Sequence, residues 1–81
     1  MTPATERGTV AKLLDFLLTE RELESDAELG RLLNKDGAYM SKLRNEKLAL
    51  SANLILLIHI IFGVGVREII ERAGLQARWR K

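Results

Sequence analysis

Apolar residues recur at helical spacing along this chain. Val10, Leu13, Leu14, Leu17 and Leu18 fall at i, i+3, i+4, i+7 and i+8, which predicts a first helix over about Glu6 to Glu22. Ser25 and Glu28 form a capping box, so a second helix starts there with Leu29, Leu32 and Leu33 as its buried stripe. Asn34, tolerant of the left-handed conformation, stops it. Lys35, Asp36 and Gly37 read as a tight turn before a third helix over about Ala38 to Asn45. On that helix Met40, Leu43 and the stem of Lys47 share one side. At 100° per residue, Ala38, Ser41, Lys42 and Asn45 share the other. Ser51 caps a fourth helix to Phe62, with Leu50 and Ile55 placed as a hydrophobic staple. After the break at Gly63 and Gly65, a fifth helix runs from Val66 to Ala73 and ends at Gly74. The pattern predicts an all-α, compact five-helix domain over 9–74, a mobile N-terminal arm over 1–8 and a short basic tail over 75–81. No internal repeat and no linker divides it.

The stretch from Leu48 to Val66 carries no charge and just reaches the length of a bilayer span. Ser51, Asn53, His59, Gly63 and Gly65 interrupt it, and its dense part runs only from Leu54 to Phe62. A buried helix fits that length better than a membrane segment does. This fourth helix is apolar all round: Leu54, Leu57, Ile58 and Ile61 form one face, while Ile55, Leu56 and Ile60 occupy the others. A domain this small cannot easily bury every side of a helix within itself. The expectation is a homodimer joined through Ile55, Leu56 and Ile60 on the fourth helix, the fifth helix, and Trp79 of the tail. In the competing arrangement the arm or the tail folds over the same surface in a monomer.

Composition narrows the chemistry. The 81 residues include no cysteine, which excludes disulfides and thiolate metal sites. His59 is the only histidine, too little for an ordinary zinc site or a nucleophile–base pair. Gly63 and Gly65 are too thin a match for a phosphate-binding loop. No cofactor, metal or catalytic role is expected. The first residues lack the apolar core of an export signal, so the expected location is cytoplasmic and nucleoid-associated. The net charge of +2 is slight, but its distribution is uneven. Residues 6–28 carry −4, residues 31–47 carry +3 and residues 51–81 carry +3. A polyanion would prefer the middle and the tail to the front.

The most informative segment runs from Asp26 to Asn45. Gly30 supplies a small residue where two helices cross, and Asn34 opens the turn four positions later. Leu29, Leu33, Met40 and Leu43 are spaced to anchor both helices to a third. The run DAELGRLLNKDGAYMSKLRNEK resembles the helix-turn-helix of the lambda-repressor-like class, which includes phage repressors, Cro and XRE-type regulators. The likeness extends from about Val10 to Gly74.

That resemblance implies a helix-turn-helix at the second and third helices. It also implies sequence-specific binding of double-stranded DNA and transcriptional regulation, chiefly repression, by a dimer on a palindromic operator. The third helix would enter the major groove, with Ala38, Ser41, Lys42 and Asn45 as base-reading candidates. Lys35, Tyr39, Arg44 and Lys47 would hold phosphates. A two-fold dimer would set two such helices roughly 34 Å apart. Two positions depart from the family pattern: Lys35 stands where an apolar residue is usual, and Gly37 where a glutamine or serine often stands. The alternative is a helical protein–protein interaction module that no longer binds DNA and works through its apolar fourth helix.

Overall fold

The computed structural model describes residues 9–75, which form five helices. The expected arm at 1–8 and Trp79 lie outside them. Helix α1 spans Val10–Glu20, and the Thr9 hydroxyl accepts the Lys12 N–H at 3.1 Å to cap it. It ends two residues before the expected Glu22 because Glu22 turns left-handed, at φ 54°. Helix α2 spans Asp26–Leu33. The Ser25 hydroxyl accepts from the Glu28 N–H at 3.3 Å, and the Glu28 carboxylate accepts from the Glu24 N–H at 3.0 Å, one residue ahead of the cap itself. Asn34 ends α2 at φ 61°.

Helix α3 spans Gly37–Arg44. It starts one residue earlier than the sequence suggests, because the Asp36 carboxylate accepts the Tyr39 N–H at 2.7 Å and makes Gly37 the first helical residue. It also closes earlier. Glu46 adopts φ 60°, and the Lys47 N–H bonds back to the Lys42 carbonyl at 2.8 Å. The helical register therefore does not reach Lys47, whose side chain is exposed rather than laid along the buried side.

Helices α4, Ala52–Phe62, and α5, Val66–Arg72, meet at a 116° bend. The Ser51 hydroxyl caps α4 by accepting the Leu54 N–H at 3.1 Å, and Gly63 ends it at φ 72°, a conformation that a side chain would strain. His59 donates its Nδ1–H to the Val64 carbonyl at 2.8 Å and so ties α4 to the bend. No described helix is long and apolar enough alone to cross a membrane. The α4–α5 pair meets the length and composition only together, across that bend.

All five helices contribute to one core. Leu13, Leu14 and Leu17 of α1 are fully buried with Leu29 and Leu33 of α2, Met40 and Leu43 of α3, Ile58 of α4 and Ile69 of α5. Three positions differ from the sequence reading. Leu32, expected in the buried stripe of α2, is exposed, because Leu29 and Leu33 alone define the side that faces the core. Ile55, expected at a dimer surface, is only 4% exposed: with Leu50 it staples the start of α4 inward. Leu75, expected to open the tail, is buried and its N–H bonds to the Ile70 carbonyl at 2.9 Å, so the packed unit includes it.

Arginines fasten the outside of this core. Arg72 pairs with Glu68 and lies 3.7 Å from the Phe16 ring centroid, linking α5 to α1. Arg21 lies 4.8 Å from the Phe62 centroid and donates to the Ile61 carbonyl at the C-terminus of α4.

Candidate nucleic-acid interface

The candidate surface lies on α2 and α3, which are joined by Asn34, Lys35 and Asp36. A Cβ on Gly30 would lie 2.6 Å from the Lys35 carbonyl oxygen and 2.9 Å from Met40 Cγ. Only a glycine lets the connection and the start of α3 press this closely on α2. The left-handed Asn34 then returns the chain, with the Lys35 N–H bonded to the Gly30 carbonyl at 2.7 Å. That end of the pair is fixed by backbone.

Side chains fix the other end. Arg44 closes α3 and forks onto Asp26 at the start of α2, with Nε at 2.7 Å and Nη2 at 2.8 Å from the two carboxylate oxygens. Its Nη1 reaches Asp15 of α1 at 2.9 Å. The Asp26 hydrogen bonds raise the Arg44 pKa above its ordinary value, partial burial opposes that rise, and Asp15 adds to it. A positive side chain at a helix C-terminus and a negative one at a helix N-terminus also complement both dipoles. No local signal announces this clamp, because its partners lie 18 and 29 residues from Arg44.

With Met40 and Leu43 fully buried, the remaining side of α3 is wet. Gly37, Ala38, Ser41, Lys42 and the flanking Asn45 are all exposed, and no described element covers them. The Asn45 amide donates to the Ser41 carbonyl at 2.9 Å, which leaves its oxygen free to accept. Lys42 and Lys47 have no ion-pair partner among the described residues, and neither does Arg31. Arg31, Asn34, Lys35 and Asp36 line an open depression of about 480 Å³ beside the start of α3.

The structure separates the remaining candidates. Lys35, where the resemblance asks for an apolar residue, is half-buried and keeps its ammonium 4.9 Å from the Tyr39 ring centroid. Tyr39 is itself half-buried against the core. Arg44 leaves the set of free cations, because its guanidinium is already occupied by two carboxylates. Comparison with family models, curated proteins and solved structures finds no match for this chain. Among the described residues no cluster of histidine or acidic side chains is arranged to hold a metal ion. The site offers a rigid, narrow ridge with small and polar side chains along its crest and lysines at its sides.

Among the candidates for an apolar surface, Leu56 is 52% exposed and Ile60 66% exposed, side by side on the outer face of α4. Ile55 forms part of the floor of a groove of about 250 Å³ between α4 and α5, lined also by Ala52, Leu56, Val66 and Ile70.

Proposed function

We propose that this chain binds double-stranded DNA in a sequence-specific way, with α2 and α3 acting as a helix-turn-helix and α3 entering the major groove. The observation that carries this reading is the asymmetry of α3. Its apolar pair is sealed in the core, while Ala38, Ser41, Lys42 and Asn45 stand uncovered on the opposite side. A helix held at both ends, with small residues outermost, has the width and stiffness that groove insertion requires. Lys42 is the donor placed to reach guanine O6 and N7, and Ser41 and Asn45 reach neighbouring base edges or phosphates. Arg31, Lys35 and Lys47 hold phosphates on either side, and Tyr39 offers its hydroxyl to one more. In a cell such a domain regulates transcription, chiefly by occluding the DNA it covers.

Binding should divide by residue. Lys42→Ala and Asn45→Ala are expected to flatten the preference among duplex sequences, whereas Lys47→Ala weakens binding to all of them alike. Uniform losses from all three changes would contradict this division of labour. The exposed apolar face of α4 favours the second reading, a protein-interaction module without DNA affinity. Failure of the chain to bind any duplex at low ionic strength would leave that reading in place.

A further inference from the structure

Once Met40 and Leu43 are sealed inward, the front end of α3 has little left to read with. Gly37 has no side chain, Ala38 offers only a methyl group, and Tyr39 is half-buried against the core. The Asp36 carboxylate is therefore the hydrogen-bonding side chain with which this end leads. It is exposed, and one of its oxygens accepts the Tyr39 N–H at 2.7 Å, which holds the carboxylate in place. It forms no ion pair among the described residues, although Arg31 and Lys35 line the same open depression of about 480 Å³. An uncommitted anion at the leading edge of a surface read as DNA-binding needs a reason. Capping alone does not supply one, because serine and asparagine cap a helix about as well without a charge.

An ionised carboxylate can only accept hydrogen bonds. In the major groove guanine presents two acceptors, O6 and N7, thymine presents O4, and adenine sets its N7 acceptor beside its N6 amino group. Each of these turns lone pairs towards the carboxylate. Cytosine alone shows a donor, its N4 amino group, with no acceptor of its own beside it. We infer that Asp36 is a specificity-determining residue of the proposed DNA interface, accepting from the N4 amino group of a cytosine at the leading end of α3. The same carboxylate rejects the other three bases there, so it works by exclusion as much as by attraction. Arg31 and Lys35, on the same depression, offset its repulsion from the phosphates. This inference rests on the DNA reading and deepens it, by naming the base chemistry that one end of α3 selects.

A pool of duplexes randomised over the covered site, sorted by binding to the full chain at low salt, tests it. The wild type should recover cytosine at one position, separate from the guanine position that Lys42→Ala relaxes. Asp36→Asn keeps the cap and the shape but adds a donor, so it can meet N6 and N7 of adenine together. Preference at that position should move from cytosine to adenine, with the wild-type discrimination against adenine falling on the order of tenfold. Asp36→Ser keeps the cap but loses the reach and the charge, and it should accept all four bases there within about threefold. Both variants should bind unrelated duplexes more tightly than the wild type, because a negative charge has left the surface. Their unfolding midpoints should stay near that of the wild type. A residue that only caps α3 would leave the ranking of bases untouched at every position. The inference is overturned if the wild type selects cytosine nowhere, or if Asp36→Asn ranks the bases as the wild type does. A chain that binds no duplex at low ionic strength refutes the DNA reading itself and this inference with it. A chain that binds duplexes with a base ranking indifferent to residue 36 refutes this inference alone.

Discussion

At the scale of single residues, the backbone at three helix ends is what most needs explaining. Glu22, Asn34 and Glu46 all sit near φ 60°. Asparagine suits that conformation, but glutamate does not, and each costs roughly 1 kcal/mol relative to a glycine free of that strain. Glycine gives part of this back through its larger unfolded-state entropy. Glu46→Gly is therefore expected to raise stability by about 0.5 kcal/mol in urea denaturation, and a loss instead would show that the glutamate side chain contributes an interaction of its own. Gly30 carries the opposite prediction. Its missing Cβ would meet the Lys35 carbonyl at 2.6 Å, and that atom is backbone in a tight turn. Gly30→Ala should cost about 1–3 kcal/mol, because the turn must shift to admit one methyl group. Only one of these two positions is legible in the sequence. Gly30 and Asn34 stand in a recognisable spacing, whereas nothing in the residue type at 22 or 46 announces a left-handed turn.

At the scale of helices, the clamp of Arg44 on Asp26 and Asp15 decides how α3 is carried. Arg44→Met keeps most of the stem but leaves two carboxylates without their cation. A cost of about 1–2 kcal/mol is expected, between that of an exposed pair and a buried one. Arg44→Lys should recover only part of it, because a single ammonium cannot fork across both Asp26 oxygens. Equal stability of the lysine variant and the wild type would mean that charge, not geometry, is what matters here. Helix positions themselves were legible, because caps and periodicity are local signals: Ser25, Ser51 and Asn34 act where their chemistry places them. The exposed side of α3 was legible too, since fixing Met40 and Leu43 inward fixes the rest by rotation. What stayed hidden depends on tertiary partners. Arg44 looks like any other basic residue until folding brings Asp15 and Asp26 to it. Ile55 carries two conflicting local signals, a staple with Leu50 and a place on a uniformly apolar helix, and only the packing of the folded chain decides that it is buried.

At the scale of the whole molecule, the question is how many cations a duplex would meet. Arg21, Arg44 and Arg72 are held by intramolecular partners, so the basic count of the sequence overstates the charge offered to phosphates. Beside α3 the available set is Arg31, Lys35, Lys42 and Lys47, with Lys35 only lightly held by the Tyr39 ring. With Lys42 reading a base edge, if Arg31, Lys35 and Lys47 displace counterions, the logarithm of the DNA association constant should fall against the logarithm of salt concentration with a slope of about −2.7 for one α3. Two protomers acting together on one duplex should give about −5.4. Lys47→Ala should make the dimer slope shallower by about 2, one counterion for each protomer. Arg44→Met provides the internal control, because its guanidinium is committed elsewhere and the slope should not change even where overall affinity falls. A slope near zero would mean that these cations do not meet phosphates at all. An altered slope for the Arg44 variant alone would mean that the clamp opens on DNA and delivers its arginine to the backbone.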